Sequence, residues 1–338
     1  KEVKGGMYYL IDEPEELAYY YHKYGAQWLS DQMNIGLGTV YYHLNQHGIE
    51  NIHDGRSGPE KVIAAHIIDD LGIDIICNDR DQLNGKEIDI YVPSKGIGIE
   101  YHGLKWHSTQ HNTDKNYHRD KFHDANINGI RLIQIFEDEW INTPDIVLSK
   151  IDNILGVSNH FVYARKTTVC NVSSGEATRF MDTNHIQGGS VKAKVRLGLR
   201  DSNGCLVALM YFKRVGSTWD LCRYATSCSV VGGFTKLLKH FERQYDPKEI
   251  ISFADLRWSQ GDLYYKCGFE LDKILSPSYY YVDNHQRLRK EKFRHARMKT
   301  MENFDYNPNE TETENTERNG YYRIYDCGLM RFKKTYNS

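Results

Sequence analysis

Apolar residues recur at helical spacing along the first 49 residues. The pattern predicts helices over 15–24, 27–33 and 37–46, with a short turn at 34–36. Two helices joined by such a turn resemble a helix-turn-helix, whose second helix enters the major groove of DNA; a plain three-helix bundle has the same pattern. If the segment binds DNA, the residues expected to face it are Thr39, Tyr41, Tyr42, Asn45 and Gln46.

The central segment alternates between helical and strand-like apolar patterns. Helices are predicted from Pro59 to Leu71, over 116–128 and over 145–155, and strands over 73–77, 87–92, 97–102 and 131–136. Farther along, 195–199, 205–212, 220–224 and 249–255 read as strands, and 232–245 as an amphipathic helix. The fold class predicted is α/β, in the sense of a mixed α+β chain.

Composition places the chain among soluble globular proteins with two or three domains. It has 338 residues, 40% hydrophobic and 26% charged, and no apolar run long enough for a membrane span. Seven cysteines form no C-x-x-C pair, which disfavours a zinc ribbon and a disulfide framework. We expect reduced thiols and a cytoplasmic protein, in a bacterial host if a phage carries the gene.

The net charge of −2 hides a segregated chain. Residues 1–53 have a net charge of −4, residues 54–156 of −7, residues 157–300 of +11 and residues 301–338 of −2. An acidic part suits cation binding and a basic part suits phosphate binding. We therefore predict three domains, 1–53, 54–156 and 157–338, with an acidic, irregular linker over 307–320.

Two carboxylates fall on neighbouring predicted strands. Asp89 and Glu100 are eleven residues apart, and His102 follows two residues later. Carboxylate oxygens favour a hard cation, so we expect Mg²⁺ or Mn²⁺ on Asp89 and Glu100. Such an ion polarises a phosphodiester and helps ionise a water molecule. Each side chain also has an ordinary structural interpretation, as a surface carboxylate or a core histidine.

These residues resemble a known family. The pattern Asp-x10-Glu-x-His, after a helix with Glu60, looks like the PD-(D/E)XK restriction-endonuclease-like core. The segment His102-Gly-Leu-Lys-Trp-His107 is similar to very short patch repair (Vsr-like) nucleases and their EDxHD homing-endonuclease relatives. The resemblance covers about residues 57–155. It implies that the catalytic residues are Glu60, Asp89, Glu100, His102, His107 and Asp120.

The C-terminal half resembles another fold. Strand, strand, helix, strand and a Leu263-Tyr-x-x-x-Gly268-Phe269 helix look like a GNAT acetyltransferase. The acyl-CoA loop of that family, Gln/Arg-x-x-Gly-x-Gly/Ala, is replaced by Ser229-Val-Val-Gly-Gly-Phe234, so the resemblance implies the fold more than the activity. Residues 287–299 hold seven Lys/Arg and one Glu, a composition that favours phosphate contact. The candidate DNA contacts there are Arg287, Arg289, Lys290, Lys292, Arg294 and Arg297.

The resemblances together imply a site-specific, homing-type endonuclease that hydrolyses double-stranded DNA with a divalent metal. The expected partner is double-stranded DNA, bound by a monomer or a transient dimer, with no membrane. The alternatives are a mismatch or nicking repair endonuclease, a GNAT-family acetyltransferase with a DNA-binding N-terminal region, and a DNA-binding regulator without catalysis.

Overall fold

The computed structural model describes residues 7–49, 57–158 and 160–336. The chain forms two compact units that differ from the predicted three-part division. Residues 280–324, which we predicted to lie in the C-terminal domain, belong to the first unit. Unit 1 comprises Lys1–Asp114, Lys121–Asn142 and Tyr280–Ile324, and unit 2 comprises Lys115–Asp120, Thr143–Tyr279 and Tyr325–Ser338.

The helices are α1 (Pro14–Met33), α2 (Leu37–Gln46), α3 (Gly58–Ala65), α4 (Leu104–His107), α5 (Tyr117–Ile127), α6 (Glu137–Asn142), α7 (Pro144–Leu155), α8 (Ser174–Asn184), α9 (Gly233–Tyr245), α10 (Asp262–Lys266), α11 (His295–Met298) and α12 (Glu312–Arg318). The strands are β1 (Ile76–Leu83), β2 (Lys86–Val92), β3 (Ile97–His102), β4 (Arg131–Phe136), β5 (Phe161–Tyr163), β6 (Thr168–Asn171), β7 (Val195–Arg200), β8 (Leu206–Val215), β9 (Thr218–Thr226), β10 (Ser229–Val231), β11 (Glu249–Asp255), β12 (Glu270–Leu275), β13 (Tyr279–Asp283), β14 (Gln286–Arg289), β15 (Tyr322–Tyr325) and β16 (Leu329–Thr335). Within the described ranges, no helix has the length and apolarity that a membrane span requires.

Unit 1 begins with the helices that the apolar spacing predicts. Helix α1 is broken at Gly25, whose backbone (φ 84°, ψ 167°) is not helical, so it consists of two pieces. Asn34 ends the second piece in the left-handed conformation, and α2 follows after Gly36. The recurring apolar residues Leu29, Met33, Val40 and Leu44 are buried in one core, and Ile35 is partly buried against it. The three helices are therefore confirmed, whereas their role as a DNA-binding helix-turn-helix stays a prediction.

A four-stranded sheet, in the order β1-β2-β3-β4, forms the centre of unit 1. The first three strands are antiparallel neighbours, and β4 joins β3 in parallel. Ile90 of β2 pairs with Ile99 of β3, so the next step along this register places Asp89 opposite Glu100. Strand β1 begins at Ile76 and not at Ile73 as predicted, because the N–H of Ile73 bonds to Ile67 and completes the preceding helical turn.

Residues 280–324 add a second, smaller sheet, in the order β14-β13-β15, to unit 1. Val282 and Ile324 share a buried cluster with Leu104 and Phe136. The predicted irregular linker over 307–320 is wrong, because this stretch contains α12. Thr311 caps that helix and Glu314 completes a capping box, so the backbone N–H groups at the helix start have hydrogen-bond partners. The acidic residues of the first turn also favour this end of a helix.

Unit 2 is built on a seven-stranded sheet, in the order β12-β16-β11-β9-β8-β7-β6. Neighbouring strands are antiparallel except β9 and β11, which are parallel. Helix α9 packs on the sheet through Leu237, Leu238 and Phe241, and the rings of Phe212 and Phe241 stack 3.6 Å apart. Unit 2 therefore has the GNAT-like arrangement that the sequence resemblance predicts.

Candidate functional site

The predicted metal ligands lie together on β2 and β3 of unit 1. Asp89 is largely buried, and its Oδ2 accepts a 2.8 Å hydrogen bond from the N–H of Tyr101. Glu100 is 2% exposed, and its Oε2 lies 2.6 Å from the Nζ of Lys121, which is itself buried. The other carboxylate oxygen of Glu100, Oε1, is buried without a hydrogen-bond partner among the described residues.

Burial raises the pKa of both carboxyl groups. Burial, followed by the charge of Asp89, raises the pKa of Glu100 to about 8, against the opposing effect of Lys121. Burial likewise raises the pKa of Asp89, while the hydrogen bond from Tyr101 opposes that shift. A cation placed between the two carboxylates would relieve both effects. The donor set, two carboxylates with one unsatisfied oxygen, fits Mg²⁺ or Mn²⁺.

Glu60 adjoins this pair from the first turn of α3. Ser57 caps the helix by accepting from the backbone N–H of Glu60, and its hydroxyl donates to Glu60 Oε1 at 2.6 Å. Burial, followed by the charge of Asp89, raises the pKa of Glu60 to about 7. Glu60 therefore forms an acidic cluster with Asp89 and Glu100, while its catalytic role stays a prediction.

The two predicted histidines are neighbours as well. The rings of His102 and His107 are 4.4 Å apart. His102 is buried, and its Nε2 lies 2.9 Å from Oε1 of Gln134 on β4. Burial, followed by the charge of Lys121, lowers the pKa of His107 to about 4. His107 is therefore neutral near pH 7.

Asp120 does not join the cluster. It lies in a stretch that belongs to unit 2, its side chain is 52% exposed, and it pairs with Arg119 at 3.0 Å. Its neighbour Lys121, the cation beside Glu100, is not among the site residues predicted from the sequence. Lys121 shares the buried side of α5 with Phe122 and Ala125, and this apolar context in a charged helix was the signal for it.

The residues predicted to contact DNA are mostly accessible. Thr39, Tyr42, Asn45 and Gln46 are exposed along α2, and Tyr41 is half-buried. In the basic stretch Arg287 forms ion pairs, with Asp138 and Glu139, both at 2.8 Å, and its guanidinium lies over the ring of Phe136. The other predicted contacts there are exposed, apart from half-buried Lys290; they are Arg289, Lys292, Arg294 and Arg297.

Unit 2 contains a second candidate site, where β9 and β11 diverge. The two parallel strands pair from Trp219–Ile250 to Leu221–Ser252, and both continue beyond the point where this pairing stops. At the divergence the hydroxyl of Ser252 donates to the carbonyl of Leu221 (2.7 Å) and lies 3.0 Å from the hydroxyl of Tyr264. Burial raises the pKa of Tyr264, which keeps its proton near neutral pH.

Helix α9 begins beside this gap. Gly232 is left-handed (φ 78°), and a Cβ on Gly233 would lie 2.9 Å from the hydroxyl of Tyr224, so both glycines are needed for this turn. The Phe234 ring is buried and packs against Tyr224 and Tyr264, 5.0 and 5.9 Å away. Its aromatic side chain is therefore directed into the core and not in front of the helix N-terminus.

Comparison with known proteins relates half of the chain to acetyltransferases. No protein-family model matches the sequence, and no curated protein matches it. Three of the similar solved structures are an acetyltransferase of Bacillus subtilis in complex with CoA (12% identity, TM-score 0.32, 51% of this chain and 100% of that one), the ribosomal-protein-S18-alanine N-acetyltransferase of Escherichia coli (10%, 0.31, 51% and 95%) and the spermidine/spermine N-acetyltransferase SpeG of Vibrio cholerae in complex with manganese ions (11%, 0.29, 51% and 94%).

These comparisons correct the main functional expectation. The prediction of a homing-type endonuclease, a metal-dependent phosphodiester hydrolase, is wrong, because these similar structures are acetyltransferases and not nucleases. They agree with the GNAT-like part of the resemblance and with the acetyltransferase alternative. They lend no support to the Vsr-like core or to the helix-turn-helix.

Proposed function

We propose that the chain is an acyl-CoA-dependent N-acetyltransferase whose unit 1 binds DNA and a divalent cation. The observation that carries the acetyltransferase proposal is the divergence of β9 and β11, with Ser252 and Tyr264 at its vertex. Where parallel strands separate, their facing N–H and C=O groups are released from the sheet and become available to the carbonyl and amides of an acylated cofactor.

The proposed reaction at this gap is acyl transfer from a thioester to an amine. A neutral acceptor amine attacks the thioester carbonyl and forms a C–N bond, the C–S bond breaks, the thiolate that leaves takes up a proton, and the new amide nitrogen releases one proton to solvent. Tyr264 has the hydroxyl to supply that proton, since burial keeps it protonated. The first N–H groups of α9, which begins at Gly233 directly after Gly232, suit the pyrophosphate of CoA.

Titration calorimetry with CoA and acetyl-CoA tests this proposal. We expect the wild-type chain to bind both and to release thiol when a panel of amines is added. Tyr264→Phe should bind acetyl-CoA with unchanged affinity but release thiol about 100-fold more slowly, because the proton donor is lost. Tyr265→Phe, at an exposed neighbour on the same helix, is the matched control. Absence of CoA binding would refute the proposal.

The cation is proposed for unit 1 on a separate observation. Asp89 and Glu100 face one another with raised pKa values and an unsatisfied Oε1, and Glu60 adjoins them. Such an ion would neutralise the cluster and attract a phosphate oxygen of bound DNA. Mg²⁺ or Mn²⁺ at millimolar concentration should then raise the melting temperature. Glu100→Gln should abolish this rise and exposed Asp81→Asn should retain it; equal rises in both variants would refute the site.

A further inference from the structure

A cavity for which unit 1 supplies every lining residue is not accounted for by the cation site. It has a volume of about 900 Å³, in the range of small-molecule and nucleotide sites. Its walls come from α1, α2, the start of α3, residues 101–110 and residues 282–322. One end is lined by Glu60, Tyr101 and His107, so the cavity adjoins the carboxylate cluster.

Aromatic side chains dominate one wall. Seven of the 28 lining residues are Tyr or Trp, twice the 12% share of aromatic residues in the whole chain. The rings of Tyr24 and Trp28 are 4.4 Å apart, and Tyr20 stacks on both, at 6.2 and 5.7 Å. Trp28 also packs in the helical core, which fixes one side of this wall.

The charges of the lining do not suit a duplex backbone. Lys61 and Lys105 are outnumbered by Asp31, Glu60 and Glu137, and a surface that follows phosphates requires a basic surplus. A neutral, planar group that stacks on aromatic rings suits it better. Amide side chains, which read the polar edge of such a group, also line the cavity; they are Gln27, Gln110 and Asn284.

We infer that this cavity holds one unpaired base of bound DNA, stacked on the wall formed by Tyr24 and Trp28. The inference rests on the proposed DNA binding by unit 1 and adds to it a preference for DNA with an unpaired base. The base enters the aromatic cavity, and the exposed basic side chains of 289–297 hold the flanking phosphates. Selectivity is for DNA that contains a bulged or unstacked nucleotide.

The test compares three DNA molecules of one sequence context: a fully paired duplex, the same duplex with one bulged 2-aminopurine, and the single strand. Fluorescence anisotropy gives the affinities, and 2-aminopurine emission reports stacking. We expect the bulged duplex to bind about tenfold more tightly than the paired one, with its emission quenched, because stacking one base on an aromatic side chain contributes about 1–3 kcal/mol.

Tyr24→Leu should remove this preference and leave paired-duplex affinity unchanged. Tyr19→Leu is the matched control, since Tyr19 lies on the same helix, is 54% exposed and does not line the cavity. Equal affinity for bulged and paired duplexes would refute the binding of a base in the cavity, while the proposed DNA binding by unit 1 would stand. Failure to bind any of the three would refute the proposed DNA binding together with the inference. An equal loss for all three in Tyr24→Leu would show a purely structural role and overturn the inference.

Discussion

At the scale of single residues, the buried pair of Lys121 and Glu100 makes the sharpest prediction. Removing one partner of such a pair strands a charge or a desolvated carboxyl group in the protein interior. We expect Lys121→Met to lower the free energy of unfolding by about 3 kcal/mol, measured by urea denaturation at pH 7. Replacing both groups by apolar ones avoids this penalty, so Lys121→Met combined with Glu100→Leu should recover most of the loss.

A double-mutant cycle decides whether the contact seen at 2.6 Å is energetically important. If the two single losses simply add in the double variant, the residues do not interact and the description of the cluster is wrong. Lys86→Met is a suitable control, because Lys86 forms a largely exposed ion pair with Asp124, and such pairs contribute little.

His285 makes stability depend on pH. Its Nδ1 lies 2.6 Å from Glu137 and its Nε2 lies 2.6 Å from Asp31, while Arg287 and Asp138 are paired beside them. These two carboxylates raise the pKa of His285 above 6.5, although burial opposes the shift. The stabilisation is therefore complete below about pH 6.5 and is lost as pH rises through the folded-state pKa.

The prediction is that His285→Asn lowers the urea midpoint strongly at pH 6 and less at pH 9. The comparison is made between wild type and variant at each pH, so other titrating groups largely cancel. His47→Asn, at an exposed histidine of the same unit, serves as control. A difference that is constant with pH would contradict the proposed ionic role of His285.

The residue scale also shows what the sequence reveals of the site. Asp89 and Glu100 are predictable because each interrupts an apolar strand, and the antiparallel register then brings them opposite one another. Lys121 is not predictable from the same pattern, since it comes from a helix 21 positions after Glu100 and reaches the site only through tertiary packing. Asp120 shows the reverse case: its position matches the motif of the family, but its side chain is exposed in the structure.

At the scale of elements, the break in α1 is a backbone requirement. Gly25 has φ 84° and ψ 167°, a region essentially restricted to glycine. Gly25→Ala should therefore lower the free energy of unfolding by about 1–3 kcal/mol, although a Cβ would meet no atom closer than 4.0 Å. Gly38→Ala is the contrasting control: it lies in α2 with open space around it and should stabilise the chain by about 0.5–1 kcal/mol.

Thermal or urea unfolding of the two variants measures both effects. Equal stability of Gly25→Ala and wild type would mean that α1 tolerates a continuous helix there. The same break separates the two helices predicted over 15–24 and 27–33, and the glycine between them is a local signal. The helix α12 was missed because its acidic composition resembles a linker, whereas its stability depends on Asn315, buried with its amide bonded to the carbonyls of Asn307 and Glu310.

At the scale of the whole molecule, charge grouped along the sequence differs from charge grouped in the fold. The block over 157–300 has a net charge of +11, but the fold assigns its last part, from Tyr280, to unit 1, together with the acidic segments 1–53 and 54–114. The sequence was unable to show this, because the excursion over 280–324 lies between β12 and β16, two strands that pair with one another in unit 2. Unit 1 thus contains both the acidic cluster and the basic stretch.

This assignment predicts where the salt dependence of DNA binding resides. Each phosphate contact contributes about 0.9 to the slope of log affinity against log salt. Replacing four exposed cations of the basic stretch by Gln, at Arg289, Lys292, Arg294 and Arg297, should lower that slope by about 3–4 for a paired duplex and leave CoA binding unchanged. The same charge change in unit 2 is available at exposed Lys239, Arg243, Lys266 and Lys273. If this second variant reduces the slope as much as the first, net charge and not the basic stretch of unit 1 governs the interaction.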